Sequence, residues 1–440
     1  MSPSIAKSLP RIFFWQLLTV GVGMVVQIML ARFLGPHDKG IVDLFLLIPV
    51  MLASATDIGL LPANTYFAGK KTIPIHVLHT NSVVWSFVVG IVLTGAAIVV
   101  GIFHGSLFAS LSRLWFILAV ATTLPSLYFS LWTGLMYGGD NADAVYAVGG
   151  IVAILSMVAY GAGIFLHWGL GAFIQITAAV LFLKGVIGWM VFQRRTEGPW
   201  EISVTAYKQS LMYGVALFVG ILINMLHFRL VQFYVESMLG PAALGQFAIA
   251  VRFAEMIWLL DFPIINASLF KLTSSGREDS ILLAQTMTRT IGVIIFLAAG
   301  AIGLFAPFVI PLLFGDRFAP SVVPLLLLLP GVLGWSLARS LSQFVAYQMG
   351  KPWYNTAAAV LVLGFNVVLI LVLVPRWGIA GASVASSISY LSMLVILTTI
   401  FLRMSGARFW PTFVAQKSDL VLLRKEILNK LPLTMVKWWA

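Results

Sequence analysis

Apolar residues run along this chain in stretches of roughly twenty or more, cut by short polar, proline or glycine breaks. That pattern predicts about twelve membrane helices. In the first half they fall near 12–34, 40–64, 81–103, 114–137, 144–166 and 170–193. In the second half they fall near 208–235, 243–270, 288–314, 321–347, 354–374 and 379–402. The expected fold class is an all-α polytopic membrane protein.

The breaks repeat as well as the runs. Leu34-Gly35-Pro36 with Gly40 returns as Leu239-Gly240-Pro241 with Gly245, 205 positions later. Trp168-Gly169-Leu170 with Ala172 returns as Trp377-Gly378-Ile379 with Ala380, at an offset of 209. Two phrases recurring in order at similar offsets indicate two copies of a six-helix unit. Six crossings return the chain to its starting side, so the copies are expected to be parallel repeats about an axis along the membrane normal. Arg194-Arg195-Thr196-Glu197-Gly198-Pro199 reads as the polar linker between them. The expected domains are therefore 1–198, 199–402 and a basic tail, 403–440.

Composition leaves no soluble alternative. The 440 residues are 60% hydrophobic and 10% charged, against about 25% charged in soluble domains. The net charge of +12 is unevenly placed. With the N-terminus inside, the inner segments hold Lys7, Arg11, Lys70, Lys71, Arg194, Arg195, Lys208, Lys271, Arg277 and Lys351, and the tail adds more. The outer segments hold only Arg32, Lys39, Arg113, Arg317 and Arg376. That bias puts both termini in the cytoplasm, and it reports topology and anionic-lipid contact rather than nucleic-acid binding. In the tail, Ser418 can cap a helix with Leu420, Leu423, Ile427 and Leu431 opposite Arg424, Lys425 and Lys430. Such a helix would lie on the inner leaflet, on anionic lipids. With no cysteine, thiol and disulfide chemistry are excluded. Gly69-Lys70-Lys71-Thr72 lacks P-loop spacing, and His76 and His79 lack partner ligands and read as a solvated loop. No catalytic set, metal site or cofactor is indicated, so no enzyme activity is expected.

Ionisable groups in mid-span cost about 2.5–3.5 kcal/mol each on insertion scales and tend to face a cavity or a partner. Arg229 has no carboxylate within a turn of its own helix and is the first candidate for an anionic ligand. Arg252 is three residues from Glu255 and shares a face with it, which leaves either an ion pair or a ligand contact. Asp57 and Asp261 occupy nearly equivalent places in the two copies, and with Glu255 they read as coupling or ion-pairing groups. Lys184 and Arg339 read as structural, and Asp43 and Arg289 as snorkelling near helix ends.

Ala31-Arg32-Phe33-Leu34-Gly35-Pro36 with Gly40 resembles the opening signature of polysaccharide biosynthesis proteins, the Wzx-type oligosaccharide-lipid flippases. Gly350-Lys351-Pro352, Asn366 and the run from Val374-Pro375-Arg376-Trp377-Gly378 to Gly381-Ala382 are similar to the same family. Arg252-Phe253 with Pro263 looks like its eighth helix. The resemblance covers nearly all of 12–402. It implies the multidrug/oligosaccharidyl-lipid/polysaccharide (MOP) exporter fold, two six-helix bundles around a central cavity working by alternating access. It also implies a polyprenyl-pyrophosphate-linked oligosaccharide as cargo, a bacterial inner membrane, and polysaccharide polymerase or assembly proteins as partners. Arg229 and Arg252 would meet the pyrophosphate. Three other readings stay open: a cation-coupled multidrug exporter of the same fold, a lipid II-type flippase, and a membrane-embedded glycan transferase or polymerase. Lipid II flippases of the superfamily usually have fourteen spans and more arginine in the first two helices.

Overall fold

The computed structural model describes residues 3–103, 109–196, 198–262, 264–265, 268, 272 and 276–414. The proposed amphipathic helix beyond Ser418 lies outside them. Helices make up nearly all of the described chain: α1 Pro3–Thr56, α2 Leu60–Lys70, α3 Ile75–Phe103, α4 Arg113–Ala121, α5 Thr123–Gly138, α6 Ala142–Phe165 and α7 Leu170–Arg195. Then come α8 Val204–Leu239, α9 Pro241–Met256, α10 Arg277–Phe314, α11 Val322–Gln343, α12 Trp353–Ser405 and the short α13 Phe409–Phe413.

Ten helical stretches among the described residues are long and apolar enough to cross a membrane. Two of them carry a glycine with non-helical backbone in the middle, Gly35 in α1 and Gly378 in α12. Each limb on either side of these glycines exceeds the roughly twenty residues a span needs. Ten continuous stretches thus give the twelve crossings expected from hydropathy. The chain is a multi-pass, all-α membrane protein.

One expected span is cut short. Hydropathy predicts the second over 40–64, but the helix stops at Thr56 and restarts at Leu60. Ile58 (φ 47°) and Gly59 (φ 84°) turn the chain through left-handed geometry between them. α2 then packs on α5 through small residues. A Cβ on Gly138 would press on the Thr65 carbonyl and the Ala68 side chain, and Asn64 donates to the Ser82 hydroxyl (2.9 Å) and the Leu131 carbonyl (3.2 Å). Close backbone approach with polar bonds across it is how helices associate where no hydrophobic force acts between them.

The chain packs as two compact units. One comprises 1–248 with 310–320, the other 249–309 with 321–440. These divide the chain differently from the sequence repeat, since α8 packs with the first copy. In the first unit, Trp132, Leu135, Phe192 and Leu78 fill the interior between α3, α5 and α7. α3 turns Phe87, Ile91, Val92 and Ile102 outward, an apolar surface suited to lipid. In the second unit α11 lies on α12. Gly331 meets Ser387 and Gly334 meets Leu391, and the Ser387 hydroxyl donates to the Leu327 carbonyl.

Candidate functional site at the seam between the repeats

The two Leu-Gly-Pro phrases fold alike. Gly35 has φ 72° and ψ 179°, and Gly240 has φ 83° and ψ 177°. Proline drives the residue before it to extended ψ, and a sharp bend at that ψ with positive φ is open essentially only to glycine. The next glycine of each phrase then touches the other phrase. A Cβ on Gly40 would overlap the Pro241 carbonyl, and one on Gly245 would overlap the Pro36 carbonyl. The contact is reciprocal, as a two-fold pairing requires. All of it lies in the first unit.

A second reciprocal contact lies at the far end of the same helices. A Cβ on Gly59 would overlap the Gly214 carbonyl, and one on Gly214 would overlap the Gly59 carbonyl. The first copy's helices are thus pinned to α8 and α9 at both ends, with no side chain between backbones.

Polar side chains fix the turn end of this seam. Arg32, beside the first phrase, donates from Nε to the Leu313 carbonyl (2.8 Å) and from Nη2 to the Leu312 carbonyl. Glu236, one turn before Gly240, accepts from the Ser110 hydroxyl. It is 4% exposed, and its Oε2 has no hydrogen-bond partner among the described residues. Hydropathy ends the seventh span at 235, so Glu236 falls just outside it. The signal was present, a lone acid one turn before Leu-Gly-Pro. Lys39 and Asp43, read in part as snorkelling, instead form a buried i,i+4 ion pair. An ion pair inside the helix removes the need to reach water.

Arg229 is half-buried on α8 in the first unit, and Arg252 is exposed on α9 in the second. Glu255, half-buried, lies one turn beyond Arg252. Asp57 accepts the Leu61 N–H at its carboxylate (2.9 Å) and the Leu60 N–H at its carbonyl (3.0 Å). It thereby satisfies first-turn donors of α2. Asp261 is fully buried and accepts from Arg339 Nη2 at 2.8 Å, with the guanidinium 5.8 Å from the Trp258 ring. Lys184 Nζ stands 4.2 Å over the Phe129 ring. Equivalent positions in the repeat therefore do different work: Asp57 holds a helix start, and Asp261 holds an arginine. His79 corrects the reading as solvated loop. It is buried, stacked on Phe192 at 3.7 Å and hydrogen-bonded to Tyr128 Oη at 3.0 Å.

An apolar cavity of about 430 Å³ opens where α1, α3 and α4 meet Phe233 of α8. Another, of about 460 Å³, lies between α3, α5 and α7.

Twelve crossings, two like phrases locked on each other and buried charge along their seam mark a membrane protein built from two repeats. The solved structures agree on the fold. The lipid II flippase MurJ in an inward closed conformation is 12% identical, with a TM-score of 0.73 over 96% of this chain and 93% of that one. An inward-facing multidrug resistance MATE family transporter of the MOP superfamily is 14% identical, with a TM-score of 0.66 over 88% and 94%. A MOP superfamily transporter from Pyrococcus furiosus with a binding pocket of reversed polarity is 14% identical, with a TM-score of 0.62 over 91% and 96%. Among curated proteins no relative matches. The family described as "Polysaccharide biosynthesis protein" matches residues 29–323, and the chain belongs to that family.

Proposed function

We propose that this protein flips a polyprenyl-pyrophosphate-linked oligosaccharide across the bacterial inner membrane by alternating access. Its two repeats, 1–198 and 199–402, are the moving halves, and both termini are cytoplasmic. Family membership supports a role in polysaccharide biosynthesis, and the fold shared with a lipid II flippase and a multidrug transporter supports transport. The single observation that carries the mechanism is the seam with a side-chain-free closure at each end, Gly40 with Gly245 and Gly59 with Gly214. Alternating access needs two gates on one path, and backbone-to-backbone glycine contacts close tightly while leaving no side chain to untangle on opening.

Arg229 and Arg252 are the proposed cationic contacts for the pyrophosphate. Charge-assisted bonds to phosphate oxygens are roughly twice as strong as neutral ones. Asp57, Glu255 and Asp261 are the sequence candidates for coupling or ion pairing. We assign Asp57 to holding α2 and Asp261 to holding Arg339, and keep Glu255 as a coupling candidate. The buried Glu236 is a further acid suited to cation coupling.

The test is export in cells and flipping in proteoliposomes. The Arg229→Ala, Arg252→Ala double variant is expected to insert normally and lose export. Full export by that variant would remove both arginines from the headgroup site. Protection against cationic dyes, lost on Glu236→Gln, would instead favour the multidrug reading.

A further inference from the structure

The cavity at the repeat seam has an unusual boundary. Its walls are Ile48, Met51 and Leu52 of α1, Leu93 to Val100 of α3, and Phe116 and Val120 of α4, all from the first copy. One wall, Phe233 on α8, comes from the second copy. Every lining side chain is hydrocarbon or thioether, so the cavity offers nothing to a sugar or a pyrophosphate. The small pair Ala96 and Ala97 makes the room, and Ala96 is exposed on the outer face of α3, so the space opens sideways. Glu236 follows Phe233 by three residues, on the same face of α8. Its partner Ser110 lies just ahead of α4, whose Phe116 and Val120 are also walls. The Ser110–Glu236 bond therefore ties the two copies together at one end of the cavity.

From this we infer that the seam cavity holds the terminal segment of the polyprenyl chain of the lipid-linked cargo while its head group passes between the repeats. The inference rests on the proposed flippase function and adds where the tail resides. Continuity with the seam singles out this cavity. The cavity between α3, α5 and α7 takes Trp200 from the second copy, in the segment ahead of α8, and no wall from α8 itself, the helix that carries Gly214 and runs to Gly240 of the seam. At the seam, a seated chain stays beside its head group through the cycle.

The test uses the full chain in vesicles of phosphatidylethanolamine and phosphatidylglycerol. One probe is a long polyprenyl phosphate with a diazirine on its terminal isoprene. The other is a diacyl phospholipid with the same group at a chain end. Cross-links are mapped by peptide mass spectrometry. The polyprenyl probe is expected to label the Leu93–Val100 segment and Phe233 about tenfold more than the phospholipid probe, a preference of about 1.4 kcal/mol. Ala96→Trp should abolish that labelling, whereas Ile98→Trp, exposed on the same helix but outside the cavity lining, should not. Equal labelling by the two probes would assign the cavity to bulk lipid and overturn the inference, as would undiminished labelling in Ala96→Trp. Flipping is measured in parallel with long-chain and short-chain pyrophosphoryl oligosaccharides. Ala96→Trp is expected to slow only the long-chain substrate. If the wild-type chain flips neither substrate, the flippase reading fails, and the labelling still decides what the cavity holds.

Discussion

The two phrase pairs that mark the repeat have fared differently. The Leu-Gly-Pro copies keep one backbone, with φ 72° and 83° and ψ 179° and 177°. The Trp-Gly copies do not. Gly169 is extended at φ −77° with the left-handed turn on His167, while Gly378 itself takes φ 57° and ψ −137°. The Leu-Gly-Pro copies touch each other within one compact unit, and the Trp-Gly copies belong to different units. Mutual contact holds backbone geometry fixed, because each copy is the other's template. Side chains are not so constrained. Beside the first phrase stands Arg32, and before the second stands Glu236. The seam is symmetric in backbone and asymmetric in charge.

The largest effect should come from breaking the shared backbone. Gly40→Leu puts a side chain on the Pro241 carbonyl, where only backbone can yield. Transport is expected to fall to background with protein still in the membrane, read by export and by surface biotinylation. The other marker offers the contrast. Gly169→Ala meets open space at a φ any residue adopts, so export should stay near wild type.

Next comes the second unit's ion pair. Arg339→Ala strands a fully buried Asp261 and should cost about 3–5 kcal/mol in unfolding free energy, read by thermal or denaturant melts. Asp261→Ala in the Arg339→Ala background should recover part of that loss, since no buried charge is then left alone. An unrecovered double variant would show that the pair does more than neutralise.

The smallest effect belongs to Asp57. Asp57→Ala removes one first-turn acceptor of α2 and should cost about 0.5–2 kcal/mol, with Asp57→Asn closer to wild type. A larger transport defect than stability defect in Asp57→Asn would restore the coupling role expected from sequence.

Much of this was legible in the sequence. Hydropathy placed the spans because lipid demands long apolar helices whatever their neighbours are. The repeat exposed the seam because glycine and proline mark backbone geometry directly. What the sequence hid were partnerships across distance. Asp261 and Arg339 are 78 residues apart, and no local spacing joins them. Lys39 and Asp43 sat four apart in plain view but looked like helix ends, since burial is a tertiary fact. The break after Thr56 was missed because Asp57-Ile58-Gly59 reads as a short polar step inside an apolar run. Glu236 is hidden because the apolar run ends one residue before it, while the helix continues to Leu239.

The central claim is that the seam opens at one end while it closes at the other. The chain has no cysteine, so spin labels can be placed without background. One pair, His37→Cys with Ala242→Cys, flanks the Gly40–Gly245 contact. A second pair, Lys71→Cys with Lys208→Cys, lies toward the Gly59–Gly214 end. Double electron–electron resonance on both pairs in proteoliposomes, with and without lipid-linked oligosaccharide, measures the two ends independently. The account predicts opposite shifts, one distance lengthening as the other stays short or shortens. Distances that move together, or that do not move when cargo is flipped, would contradict it.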